Sequence, residues 1–259
     1  MRTLLFLLFP LLALSMGTAQ AQQCSAQSAR TTTALVELYT SEGCDSCPPA
    51  DRWLSSLGAK GYAPDRVVPI ALHVDYWDYI GWKDPYARQA FSARQRKMAA
   101  LARAAVVYTP QVLLQGRDFR GWNGAGFEQE VAKINARPAK ARISLLLDTR
   151  EKGVFGVEAS AELENAVPPG DMALYLGAYE NKLLSEVKAG ENRGKSLPHD
   201  YVVLQWAGPL EFKTAKLVER QRLPLLPRAV PAHSGVVAFV QSRASGEVLQ
   251  ALMLPACPG

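Results

Sequence analysis

Apolar positions along the chain change their spacing near residue 140. Upstream, unbroken apolar runs alternate with stretches where apolar residues recur every three or four positions. Residues 34–39 and 67–74 read as buried strands, the second with Pro69 near its start. Ala50, Trp53, Leu54 and Leu57 have helical spacing behind Pro48-Pro49, a pair tolerated in a first helical turn, and Gly58 or Gly61 supplies a stop. A second helix is predicted from about Tyr86 to Ala104, with Asp84 as N-cap and Pro85 at the first position. Its Arg88, Arg94, Arg96, Lys97 and Arg103 read as a solvated face. Residues 106–114 form a strand approached through Pro110, Gly116-Arg117-Asp118 marks a turn, and Phe119 opens a return strand. Phe127, Val131 and Ile134 mark one face of a helix ending near Arg137-Pro138. The predicted order is β-α-β-α-β-β-α over residues 33–137.

Downstream, strand-length runs cover residues 143–148, 154–163, 172–179, 201–206, 213–219, 236–241 and 249–254, with Gly, Pro and Asn clustered between them. Many short strands at this spacing predict a mostly-β, sandwich-like part over residues 140–259. The boundary falls near residues 136–142.

The N-terminus predicts export. Arg2, the apolar run Leu4 to Leu14 and the small-x-small Ala19-Gln20-Ala21 read as a signal peptide over residues 1–21. About 238 residues then remain, and no later stretch approaches a membrane span of about 20 apolar residues. A periplasmic or secreted destination follows. The net charge of +5 is not gathered into a dense basic block with interleaved aromatics, which argues against a nucleic-acid partner.

Export permits disulfides, and the chain has four cysteines: Cys24, Cys44, Cys47 and Cys257. The close pair suggests Cys44–Cys47 and leaves Cys24 for Cys257, although four cysteines allow three pairings. A bridge between Cys24 and Cys257 would contribute roughly 5 kcal/mol as an upper estimate from loop closure.

The candidate chemistry lies at Cys44-Asp45-Ser46-Cys47. A strand feeds this C-x-x-C and a helix follows at once. Free N–H groups and the positive end of the helix dipole there stabilise a thiolate, the nucleophile of disulfide exchange. The same two sulfurs also suit a soft metal. His73, at the end of the second strand, reads either as a hydrogen-bonded core histidine or as a third ligand for copper or zinc beside Cys44 and Cys47. His199 and His233 show no ligand spacing and read as structural or surface residues. Tyr76, Trp77, Tyr79 and Trp82 line an apolar substrate groove or form a satellite core.

The order of elements, with C-x-x-C opening the first helix and Thr109-Pro110 leading the third strand, resembles the thioredoxin fold over residues 33–137. The resemblance implies an α/β N-terminal domain with Pro110 in a cis bond shaping the substrate contact. It also implies an exposed, attacking Cys44 and a buried, resolving Cys47. Val36-Glu37-Leu38-Tyr39 resembles the strand in which thioredoxins keep a buried acid, so Glu37 is either a proton acceptor for the resolving cysteine or a half-exposed strand residue. Asp45 departs from the usual Gly-Pro pair, and its carboxylate beside the thiolate is expected to raise the Cys44 pKa. Gly43 replaces a tryptophan.

The run Glu37 to Asp51 is similar to the signature of an exported bacterial family catalogued as domain of unknown function 1223. So are His73 to Pro85, Tyr108-Thr109-Pro110-Gln111, and Gly190 to Lys195 with His199. That family brings no assigned reaction. The expectation is an exported thiol-disulfide oxidoreductase without a cofactor, acting on a protein thiol or disulfide partner. Copper carriage by Cys44, Cys47 and His73, and a non-catalytic binding protein with a structural Cys44–Cys47 bridge, are the alternatives. Redox direction, substrate and oligomeric state are open at this point.

Overall fold

The structure, a computed structural model, describes residues 23–257; the expected signal peptide lies outside the described residues. The first half contains β1 (Gln23–Gln27), β2 (Ala34–Thr40), α1 (Pro48–Ser56), β3 (Val67–His73), α2 (Gln89–Leu101), β4 (Gln111–Leu114), β5 (Arg117–Asp118) and α3 (Gly126–Asn135). The second contains β6 (Ala141–Asp148), β7 (Val154–Leu163), β8 (Met172–Glu180), β9 (Leu183–Glu186), β10 (Ser196–His199), β11 (Val202–Glu211), β12 (Lys216–Pro224), β13 (Ser234–Ser242) and β14 (Val248–Pro255). Among the described residues no helix is long and apolar enough to cross a membrane.

The expected fold class is corrected here. The protein is mostly β, and no separate α/β thioredoxin-like N-terminal domain stands beside a second part. β2, β3, β4 and β5 are one half of an eight-stranded sheet of order β14-β13-β8-β11-β3-β2-β4-β5. The seam is β11 against β3, where Val202 registers with Ala71 in parallel and Ala71 N–H donates to the Tyr201 carbonyl at 2.8 Å. The physical reason is edge satisfaction. β3 is buried along its whole length, so its outer backbone groups need a partner strand rather than water. Periodicity reports which faces are buried, one strand at a time, and is silent on which edge each strand joins.

The two faces of this sheet are covered differently. On one face Leu35, Tyr39, Val68, Ile70 and Leu72 join Tyr175, Tyr179 and Phe239 under Phe91 and Met98 of α2. On the other, Ala34, Val36 and Leu38 pack under α1 and α3 through Trp53, Leu54, Phe127 and Val131. Further along that second face β8, β13 and β14 pack against a four-stranded antiparallel sheet of order β1-β6-β7-β12. The layer between the sheets is apolar, with Ile143, Leu145 and Leu147 of β6 and Phe155 and Val157 of β7 facing Leu174, Leu176 and Ala238. Strand alternation explains it: β6 reads buried and less buried by turns. The structure joins Cys24 to Cys257 with a Cα–Cα distance of 5.8 Å, which ties β1 to the chain just beyond β14.

Helix α2 is shorter than its sequence pattern suggests. It begins after Arg88, whose backbone is extended, and Asp84 does not cap it. Asp84 is held by three other donors, described below. Arg94 is not on a solvated face either: it is buried and bidentate to Glu37, at 2.7 and 3.0 Å.

Candidate functional site

Residues 41–47 leave β2 in a tight sequence of turns. Cys44 N–H donates to the Ser41 carbonyl at 3.2 Å, Cys47 N–H to the Cys44 carbonyl at 3.3 Å, and Gly43 N–H to Ser41 Oγ at 3.1 Å. Cys47 is the N-cap of α1, with Pro48 and Pro49 in the first turn. Ala50 and Asp51 N–H groups then donate to the Cys47 carbonyl. Cys44 and Cys47 form a disulfide with a Cα–Cα distance of 5.5 Å. Ser46 Oγ lies 3.4 Å from Cys44 Sγ.

Both cysteines are buried, Cys44 at 1% and Cys47 at 0% exposure. The exposed Cys44 of the sequence reading is therefore corrected, and the cause is a segment more than a hundred residues away in the sequence. Asn192, itself fully buried, donates from Nδ2 to the carbonyls of Glu42 and Cys44, both at 2.9 Å. Glu191 Oε2 accepts from Asp45 N–H at 3.1 Å. Residues 190–195, a polar turn in sequence terms, are thus bonded to the backbone that carries Cys44.

The aromatic loop after β3 closes another side. A Cβ at Gly43 would come within 3.0 Å of Trp77 Cβ and 3.3 Å of Ile80 Cδ1, so a larger residue would push the loop outward. Trp77 Nε1 donates to Thr109 Oγ1 at 2.8 Å, which draws in Thr109-Pro110, whose peptide bond is cis. Trp82 Nε1 donates to Glu42 Oε2 at 2.7 Å, whereas Tyr79 is exposed. The loop is fastened by polar ring edges, not by an apolar groove of all four aromatics.

Glu37 is not brought to the cysteines. It shares a strand face with Leu35 and Tyr39, which pack toward α2, whereas α1 packs on the other face with Val36 and Leu38. Its carboxylate receives Arg94 and the Tyr39 hydroxyl. Burial works against the Arg94 charge, but Glu37 more than offsets this and raises its pKa. Burial, then Glu37, pushes the Tyr39 phenol well up.

Beneath the start of α1 lies a buried polar cluster that joins distant parts of the chain. His73 donates from Nδ1 to Asp84 Oδ2 at 2.7 Å. Asp84 also accepts from the N–H groups of Glu42 and Tyr86, each at 2.9 Å. His199 donates from Nε2 to Glu42 Oε1 at 3.1 Å. The two imidazole centroids are 5.0 Å apart and nearly perpendicular. Asp51, on α1, accepts from Thr40 Oγ1 at 3.1 Å. Asp51, His73 and His199 each bring one potential ligand atom within 4.8 Å of the others, and neither cysteine belongs to that group. Burial opposes the His73 charge, but Asp84, with Asp51 and Glu42, lifts its pKa to about 9. Burial also raises Asp51, against the pull of His199 and His73. Burial would raise Asp84 too, but His73 and two backbone N–H groups leave it lowered.

Sequence reasoning missed Asp51, Glu42, Asp84 and His199 as parts of one cluster. Their one signal was that Glu42, Asp51, Asp84 and His199 fall in or beside the blocks that carry the family resemblance. His233 lies apart, 3.4 Å from Lys182 Nζ, near the surface.

Fold and site together define a mostly-β protein with two covalent bridges, one of them buried above a cluster of carboxylates and imidazoles. The model of the family described as "Protein of unknown function (DUF1223)" matches residues 35–241, and the chain belongs to that family. The structure is similar to that of protein AGR_C_4864 from Agrobacterium tumefaciens, at 24% identity and a TM-score of 0.63, over 90% of this chain and 98% of that one. It is also similar to HBP35 of Porphyromonas gingivalis, at 13% identity and a TM-score of 0.63, over 88% of this chain and 76% of that one. At these identities the likeness is one of fold. No curated protein sequence matches the chain.

Proposed function

We propose that the protein is an exported thiol-redox protein whose working group is the Cys44–Cys47 couple and whose partner is a protein dithiol or disulfide. The observation that carries this reading is the C-x-x-C bridge at the first turn of α1, beside a loop that also holds Thr109-Pro110. In the reduced state the helix N-terminus favours a thiolate on Cys44, which attacks a partner disulfide; Cys47 then displaces the partner and restores the bridge. Pro110 shapes the backbone that the partner meets. The Asn192 segment has to move aside first, so access is the controlled step. Export is supported by the leader-like N-terminus and by the two bridges, which persist in oxidising compartments. Glu37, tied to Arg94 on the other sheet face, has no part in this reading.

The burial of both sulfurs favours a second reading, a permanent structural staple in a binding protein. Titration against glutathione buffers, with thiols trapped for mass spectrometry, separates the two. A couple switching between roughly −270 and −120 mV supports thiol-redox work, and a bridge still oxidised below about −300 mV makes it structural.

A further inference from the structure

The cluster under α1 has a feature that hydrogen bonding within the protein does not explain. His73 Nε2 and His199 Nδ1 are buried and have no hydrogen-bond partner. Their rings are at 0% and 3% exposure, closed off from bulk solvent. A polar nitrogen left unpaired in such a place is costly, because it gives up its bond to water and gains none in return. Each ring has spent its other nitrogen on a carboxylate: Asp84 for His73, Glu42 for His199. That is the arrangement that fixes the tautomer and aim of a metal-binding imidazole. The outer carboxylates are themselves fixed, Asp84 by two backbone N–H groups and Glu42 by Trp82 Nε1. Asp51 completes the group, with one oxygen anchored by Thr40.

The charges point the same way. Glu42, Asp51 and Asp84 are buried together, and among the described residues no lysine or arginine forms a salt bridge with any of them. Buried carboxylates need positive charge beside them, and a bound cation would supply it in place of protons on the imidazoles.

We propose that Asp51, His73 and His199 bind one divalent first-row transition-metal ion of the zinc class, through the Asp51 carboxylate, His73 Nε2 and His199 Nδ1. Two imidazoles with one carboxylate suit such ions and not calcium or magnesium, which take oxygen ligands. Ligand bonds of about 2.0–2.2 Å set neighbouring ligand atoms roughly 3.3 Å apart in a tetrahedral site. One potential ligand atom from each of the three residues already lies within 4.8 Å of the other two, so binding draws the side chains closer together. The site rests on none of the cysteine chemistry, and its failure and that of the redox reading are independent.

The test uses the purified protein with both disulfides intact, stripped by chelator, warmed with zinc acetate and desalted. The expected result is one zinc per chain by elemental analysis and a raised melting temperature. Asp51→Asn, nearly isosteric, and His199→Gln should each weaken zinc binding at least tenfold, whereas Cys44→Ser/Cys47→Ser should leave it unchanged. Cobalt(II) in the unmutated protein should give a visible spectrum without thiolate-to-metal charge transfer, a readout that needs no variant to fold. Absence of zinc after loading, wild-type affinity in Asp51→Asn, or a thiolate band with cobalt would each overturn the assignment.

Discussion

The layer between the two sheets and the region around α1 are equally closed to water, and they are filled by different chemistry. Between the sheets, Ile143, Leu145, Leu147, Phe155 and Leu176 bury carbon against carbon. Around α1 and α2 the interior holds Glu37, Glu42, Asp51, His73, Asp84 and Arg94, with His199 and Asn192 delivered from the second half. An apolar layer tolerates small changes in shape, because its energy follows area and packing. A buried polar network does not, because removing one partner strands another. The comparison teaches where to look for function: the buried charges beside the C-x-x-C are each held by specific partners, Asp84 by His73 and Glu42 by His199.

The strongest way to break the comparison is at Arg94. Its guanidinium is bidentate to Glu37, accepted by Gln241 at 3.0 Å, and stacked near Tyr175 and Phe239 at 4.9 and 5.0 Å. Arg94→Met strands Glu37 and should cost about 3–5 kcal/mol in urea unfolding. Replacing both, as Glu37→Leu with Arg94→Met, should recover most of that loss, since well-packed apolar pairs often match buried ion pairs. A double variant as unstable as the single one would show that the loss lies in packing against the aromatics and not in stranded charge.

Asn192 comes next and bears on access. Asn192→Ala removes two hydrogen bonds to the carbonyls of Glu42 and Cys44 in a buried setting, and should cost about 1–3 kcal/mol. It should also speed reduction of Cys44–Cys47 by dithiothreitol, followed by thiol trapping, with Cys24–Cys257 as the internal control. Equal rates in variant and parent would mean that the 190–195 segment does not govern access to the bridge.

In the apolar layer the response should be smaller and local. Ile143→Val deletes one methylene from a residue at 1% exposure and should cost about 0.5–1.5 kcal/mol, with no change in the reduction rate of either disulfide. A faster Cys44–Cys47 reaction in this variant would show that the two regions are coupled.

How much of this was legible in the sequence follows the same division. β2, β3, β7, β8 and α1 announce themselves through apolar runs, alternation and the Pro48-Pro49 start, because those signals arise within one element. β1, β9 and β10 are short and partly polar, and each exists through the edge it pairs with, β1 along β6 and β10 along β9. The eight-stranded sheet was hidden for that reason: its seam is a pairing between residues 71 and 202. In the site, the C-x-x-C pair was readable from spacing. The cluster beneath it was not, since Glu42 and His199 meet across 157 positions and a histidine's second partner leaves no local mark. Arg94 was misread because α2 carries several basic residues and only the fold selects the one that Glu37, 57 positions away, draws inward.

The smallest expected effect lies on the outer face of the four-stranded sheet, and it tests the premise behind the comparison. There Arg220 of β12 meets Glu158 of β7 directly across the ladder, with Nε and Oε2 2.8 Å apart. The geometry is as short as that of Arg94 and Glu37. The setting differs: the Arg220 side chain is 78% exposed, against 7% for Arg94. Water already solvates both exposed ions, so their attraction is screened, and holding two long side chains together opposes it. Arg220→Ala should therefore change unfolding free energy by less than about 0.5 kcal/mol, and the small effect should shrink further in molar salt. A loss comparable to that of Arg94→Met would mean that contact distance rather than burial sets the worth of an ion pair in this fold, and the contrast between its two regions would then fail.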